Sequence, residues 1–191
     1  MMAERTEILE ILDSDLPEIK SFCDFWIGPN YYQLPELQKS LAYSLKNNLN
    51  ASFLVRNNSS KVVAIRLTYA PGEWVYSARG LTPHLWQSNP QKTAYFKSLF
   101  VHEDYQQLGL GRALSEASIN VLLRMGAEAI ICHSWLESPG NSSQKYLLKM
   151  GFNQINKHPK FWNPIDYDCP RCAPKRCECT AIEMIKYLKE I

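Results

Sequence analysis

The sequence predicts an α/β fold: a mixed sheet flanked by helices. Three observations carry that expectation. Short apolar or alternating runs interleave with stretches of helical period, in the order β-α-α-β-β-β-α-β-α-β-β. Residues 93–135 form one strand–helix–strand unit, long enough to cross between two parallel strands. The chain also has 191 residues, 46% of them hydrophobic and 21% charged. A chain of that size buries roughly 70% of its unfolded surface in one core, and its composition excludes intrinsic disorder.

The elements follow in order. Ile8, Leu9, Ile11 and Leu12 predict a strand over 6–12. Asp13, Ser14 and Asp15 offer an N-cap, Pro17 suits a first helical turn, and Gly28-Pro29 stops that helix. Leu37, Leu41 and Leu45, spaced by four, predict a second helix over 36–48. Strands at 52–56 and 61–69 flank Asn57-Asn58-Ser59-Ser60, a turn-forming run, and read as a hairpin. Residues 71–92 read as an ordered insertion, because linkers rarely hold residues like Trp74 and Trp86. Either Trp74, Tyr76, His84 and Trp86 line a pocket, or the insertion packs on the sheet and caps its edge. A strand at 93–101, a long helix at 108–125 ending at Gly126, a buried strand at 129–135, a helix at 141–150 ending at Gly151, and strands at 152–160 and 180–188 complete the reading. Residues 1–191 are expected to form one domain carrying the 71–92 insertion and a Cys-rich loop at 163–179.

Charge and patterning exclude several functions. A net charge of +2 leaves no basic footprint for nucleic acid. No apolar run of roughly 18 residues exists for a membrane span. The acidic start MMAERTEILEILDSD lacks the apolar core of a signal peptide, so a cytoplasmic protein is expected.

Chemistry enters at TAYFKSLFVHEDYQQLGLGRAL, residues 93–114. A strand ends at Val101 and a helix opens at Gly109 and Gly111. Glycines let backbone approach a ligand closely, and the unpaired amides and dipole of a helix start attract anions, phosphates above all. Arg112 adds a nearby charge. The nucleoside-triphosphate loop signature is absent, and Leu114 replaces the third glycine of a dinucleotide fingerprint.

Gln106-x-x-Gly109-x-Gly111 after a strand reading LFV resembles the acyl-CoA motif of the GNAT (GCN5-related) N-acetyltransferases. Lys149-Met150-Gly151-Phe152 is similar to that family's closing segment, and element order from Thr6 to Lys160 agrees. The resemblance implies a mostly antiparallel sheet with a central, splayed parallel strand pair. It implies acetyl-CoA as cosubstrate, its pyrophosphate on Gln106, Gln107, Leu108, Gly109, Leu110, Gly111 and Arg112, and its pantetheine and thioester on the main chain of Phe100 and Val101. It further implies attack on the thioester by a primary amine, without an acyl-enzyme; the acceptor is a small molecule or a protein.

The sequence departs from the pattern in the closing helix. Leu147 stands where the family often has a tyrosine acid; Tyr146 precedes it and is the catalytic candidate, with a packed surface aromatic as the alternative. Asn141 is the counterpart of a cofactor-binding asparagine, and Asn141 and Ser142 also suit N-caps. For the base, His133 on the strand beside the cofactor is the first candidate, with His102, Glu73 and Glu137 behind it. The displaced tyrosine keeps a second function open: a non-catalytic acyl-CoA-binding or zinc-containing interaction module.

Four of six cysteines, Cys169, Cys172, Cys177 and Cys179, lie within eleven residues. Cys-x-x-Cys followed by Cys-x-Cys suits a structural Zn²⁺ site, with Arg171, Lys175 and Arg176 offsetting its charge; redox thiols and disulfides are the other readings. The loop lies between the last two strands, a place that the resemblance sets beside the acceptor, so it is expected to shape a wall of that site. Cys23 and Cys132 read as buried, inert thiols. A homodimer stays open.

Overall fold

A computed structural model of the protein describes residues 6–75 and 79–188. Strands β1 (Glu7–Glu10), β4 (Phe53–Arg56), β5 (Val62–Tyr69), β6 (Thr93–Val101), β7 (Ala129–Trp135), β8 (Asn153–His158) and β9 (Ala181–Tyr187) form one sheet in the order β1-β4-β5-β6-β7-β9-β8. Every neighbouring pair is antiparallel except β6 and β7. The mixed, mostly antiparallel sheet with a central parallel pair is therefore present.

Helices cover both faces. Helix α1 (Leu16–Trp26) and helix α2 (Leu34–Ser44) bury Leu16, Ile19, Phe22, Cys23 and Leu37 against Ile65 and Leu67 of β5. Helix α3 (Leu110–Arg124) lies on the opposite face, where Leu114, Val121 and Leu122 meet Val63, Phe96 and Ile130. Helix α4 (Ser142–Lys149) adds Leu147 to the same cluster. Full burial of each such side chain contributes roughly 1.5–3 kcal/mol.

Asp15 does not cap α1. Its carboxylate accepts the Leu12 amide at 2.8 Å and pairs with Arg56, which also binds Glu18, so a short 3₁₀ turn at Asp13–Asp15 is locked to β4. The second helix stops at Ser44, four residues earlier than its leucine spacing predicts. Asn47 and Asn48 take φ of +52° and +60°, which asparagine tolerates and which a two-residue hairpin turn needs. β2 (Leu45–Lys46) and β3 (Leu49–Asn50) pair around that turn, and Leu45 faces solvent. Turn chemistry overrides helical period here.

The insertion packs on the sheet. Trp86 is fully buried, Trp74 stacks on Tyr95 at 5.1 Å, and the Trp74 indole N–H donates to Thr93 O. Those tryptophans are therefore not pocket walls. His84 is exposed, and Tyr76 lies outside the described residues. Cys23 and Cys132 are buried and free, and burial pushes both thiols well up.

Candidate active site

Parallel pairing of β6 with β7 runs only from Thr93–Ala129 to Phe96–Cys132. β6 continues to Val101 along β5, and β7 continues to Trp135 along β9. The strands thus part after Phe96 and Cys132 and open a wedge within the sheet. The parting coincides with a bulge. Leu67 pairs with Ser98 and Thr68 with Phe96, which leaves Lys97 without a partner on β5.

The register decides which backbone groups face the wedge. The His102 amide donates to Val63 O, so alternation commits Phe100 to its partner Ile65 on β5. Leu99 and Val101 turn the other way. Contrary to the expectation for Phe100, its main chain is therefore committed to β5, and those of Leu99 and Val101 face away from it. The Gln106 amide side chain donates to Val101 O at 3.1 Å and ties the following turn to the strand end.

That turn opens α3. Gln107 and Gly109 have φ of +63° and +82°, and Gly109 is the N-cap. Among the described residues, the amides of Gln107, Leu108, Gly109, Leu110, Gly111 and Arg112 have no protein acceptor, an arrangement suited to an anion. Gly111 is needed for contact, since a Cβ there would lie 3.3 Å from Leu99 Cδ2 and 3.8 Å from Val101 Cγ2. The first turn of α3 thereby sits down on β6. Arg112 is exposed and its Nε donates to Glu116 Oε1 at 2.7 Å.

On the α3 side of the wedge, the Tyr146 hydroxyl donates to Gly111 O at 2.9 Å and meets Ser115 Oγ at 2.7 Å. Arg66 is buried, places its guanidinium 4.0 Å from the Phe96 ring centroid, and donates to Ser115 Oγ, which in turn meets the Tyr146 hydroxyl. Leu147 points into the core. Tyr146 is thus joined to the helix start that carries the anion turn. Asn141 adopts φ +53° and its Nδ2 donates to Gln144; neither it nor Ser142 caps α4 through its side chain.

The other side of the wedge carries Tyr32, Tyr95, Lys97 and His133. Tyr32 bonds Ser98 Oγ, and Lys97 Nζ lies 5.9 Å from the Tyr32 ring centroid. Burial lowers the Lys97 pKa, with the Glu36 carboxylate opposing. His133 Nδ1 is 2.8 Å from Tyr95 Oη, and Nε2 meets Gly80 O. A carbonyl only accepts, so Nε2 carries the proton and Nδ1 accepts from Tyr95. Burial pulls the His133 pKa down to about 4. Both nitrogens are engaged, which leaves His133 a positioning group here and no free base.

Unfolded imidazole takes a proton below about pH 6.5, whereas folded His133 resists it until about 4. Stability is then complete above about pH 6.5 and falls as the pH drops toward 4, by up to about 3 kcal/mol. Urea unfolding at stepped pH should show this slope, and His133→Gln should flatten it.

The remaining base candidates lie elsewhere. Glu137 accepts the Thr180 amide at 2.9 Å and anchors the end of the Cys-rich loop. His102 packs edge-on against Trp26 and accepts the Asp104 amide, and Glu73 is exposed. The sequence reading missed Leu99, Lys97, Arg66 and Glu183. Glu183 is fully buried on β9 and accepts from Thr82, Trp86 and His158. Its signal was a lone acid in the apolar run AIEMI.

A splayed parallel pair thus opens beside a helix start whose unbonded amides suit an anion. The profile of the Acetyltransferase (GNAT) family matches residues 6–152, and the chain belongs to that family. An uncharacterized N-acetyltransferase of Chlorobaculum tepidum is 33% identical over 100 residues, which cover 51% of this chain and 57% of that protein. The match therefore spans little more than half the length of that relative. Among solved structures, the NatC complex bound to Gag peptide and CoA superposes with TM-score 0.68 at 14% identity, covering 97% of this chain and 99% of that one. A GCN5-related N-acetyltransferase from Kribbella flavida gives 0.61 at 19% identity, covering 96% and 98%. These likenesses establish the fold. Family and fold together support acetyl transfer. No helix among the described residues is long and apolar enough to cross a membrane.

Proposed function

We propose that the protein is an acetyl-CoA-dependent N-acetyltransferase that passes an acetyl group to a primary amine by direct attack. The carrying observation is the wedge: β6 and β7 part after Phe96 and Cys132, beside the free amides at the start of α3. The pyrophosphate lies on the amides of residues 107–112. Leu99 and Val101 main-chain groups receive the pantetheine arm and the thioester carbonyl, where a backbone donor stabilises the developing oxyanion.

The amine comes from the side of Tyr32, Lys97 and Tyr95. Its nitrogen forms the C–N bond as the C–S bond breaks. Tyr146 gives its proton to the departing thiolate and regains one from solvent; the buried Arg66 guanidinium, joined to it through Ser115, stabilises the phenolate between these steps. Lys97 in its neutral form takes the proton that the amine sheds, since desolvation lowers its pKa. The aromatic approach favours a small, partly apolar amine over a strongly acidic one. Asn141 is not needed for this reading.

Incubation with acetyl-CoA and an amine panel, following free thiol, tests it. Amine-dependent thiol release is expected. CoA binding without release would identify an acyl-CoA-binding module instead. Lys97→Met should lower kcat by about 10²-fold, at the low end for a lost proton acceptor, with the KM for acetyl-CoA unchanged. An unaltered kcat would remove Lys97 from the reaction.

A further inference from the structure

We infer that Cys169, Cys172, Cys177 and Cys179 form a closed tetrathiolate site for a structural Zn²⁺ ion, and that this ion holds the acceptor-side wall in place. The four Sγ atoms lie within 4.8 Å of one another; Cys169 and Cys179 are 4.0 Å apart, Cys172 and Cys179 3.7 Å. Zn–S bonds of about 2.3 Å in a tetrahedron put sulfurs about 3.8 Å apart, whereas a disulfide needs about 2.05 Å. All four are free thiols.

The surroundings suit charged sulfur. The Glu178 amide donates to Cys172 Sγ and the Tyr167 hydroxyl to Cys177 Sγ, each at 3.5 Å. The Trp135 ring packs against the cluster, and its indole N–H is buried there with no acceptor among the described residues. Donors at two of the sulfurs match thiolates held by a metal. Cys169, Cys177 and Cys179 are buried against Trp135, Trp162 and Tyr167. The site is thus walled, as a structural zinc site is, with no open position for catalysis. Arg171, Lys175 and Arg176 offset the net charge of four thiolates and one Zn²⁺.

The loop needs such a staple. Between β8 and β9 the chain runs from residue 159 to 180 without helix or strand, long for an ordered connection. Yet its side chains hold fixed places at the wedge. Phe161 stacks on His133 at 4.3 Å, and any Cβ on Gly80 would overlap the Phe161 ring. Tyr167 meets Tyr31 edge-on at 5.0 Å, and Asp168 O sits where a Cβ on Gly28 would fall. The ion therefore braces the α1–α2 connection and the His133 side of the wedge, away from the anion turn. The metal assignment stands on the cysteines alone; its effect on the acceptor rests on the transferase reading.

Elemental analysis of protein purified under reducing conditions should give about one zinc per chain, retained in Cys23→Ala and lost at least tenfold in Cys172→Ser. Should Cys172→Ser fail to fold, Co²⁺ exchanged into the unaltered chain should show thiolate-to-cobalt charge transfer and tetrahedral d–d bands. Zinc-depleted protein should keep its affinity for CoA in direct binding and raise the acceptor KM at least tenfold. Freshly reduced protein with four titratable loop thiols and no metal, or iron with sulfide in place of zinc, would overturn the site. Unchanged acceptor KM with zinc removed would overturn the bracing role. Absent turnover with zinc bound would refute the transferase reading and leave the metal site standing.

Discussion

Gly111→Val should raise the Kd for acetyl-CoA by about 100-fold, near 2.7 kcal/mol. A Cβ at this position already meets Leu99 Cδ2 at 3.3 Å and Val101 Cγ2 at 3.8 Å. The two γ carbons of valine would enter both side chains, so the first turn of α3 must lift from β6. The amides of residues 107–112 move with it, away from the strand edge that receives the rest of the cofactor. Alanine at the same place needs only a few tenths of an ångström from the flexible end of Leu99, and its affinity should stay within about threefold, well under 1 kcal/mol. Gly109→Ala separates conformation from contact. Its Cβ would meet nothing within 4 Å, but φ of +82° strains any side chain, by roughly 1–2 kcal/mol. Titrating CoA by calorimetry across the three variants checks the order Gly111→Val, Gly109→Ala, Gly111→Ala. Equal affinity in Gly111→Val and the parent would remove the turn from cofactor binding.

What the sequence disclosed follows the range of the forces involved. Strands β6 and β7 have the bounds read from the sequence, because β-branched and aromatic runs ended by turn residues are local signals. The anion turn was legible for the same reason, since glycine spacing and a helix start are written in consecutive residues. The wedge-facing positions were not. Ala94 and Phe96 face α3, and counting on by twos gives Ser98 and Phe100. The bulge at Lys97 shifts the parity by one, so Leu99 and Val101 join the α3-side cluster and Phe100 joins the opposite one. A bulge depends on pairing with a strand roughly 30 residues away, and single-sequence alternation does not contain it. Arg66 and Lys97 were hidden likewise, as cations whose burial comes from packing between distant elements. The cysteine loop showed the reverse: spacing alone brought four sulfurs together, because eleven residues can converge without help from the rest of the fold.

Glu183→Ala should destabilise the protein by about 3–5 kcal/mol, the range for removing one partner from a buried charged network. The carboxylate is fully buried. It accepts the Thr82 amide at 3.0 Å, the Thr82 hydroxyl at 2.8 Å, the Trp86 indole at 2.7 Å and His158 Nε2 at 2.8 Å. Those donors come from the insertion and from β8, so one side chain on β9 gathers two otherwise separate coverings of the sheet. Alanine would strand all four in a dry interior. Glu183→Gln keeps the shape but turns an amide NH₂ toward donors, and should recover only part of the loss. For a chain of this length each kcal/mol lowers Tm by roughly 2–4 °C, so Glu183→Ala should fall on the order of 10 °C. The donors also hold the Glu183 carboxyl below its usual pKa, against the desolvation that opposes them. Its contribution is therefore complete above about pH 4.5 and is lost as the pH falls through the lower folded value. Glu183→Gln should lack that acid limb yet keep the separate decline between about pH 6.5 and 4 that His133 produces. Calorimetric Tm against pH distinguishes the two. A Glu183→Ala protein melting within about 2 °C of the parent, less than 1 kcal/mol by the same scale, would show that the insertion is held by its tryptophans alone.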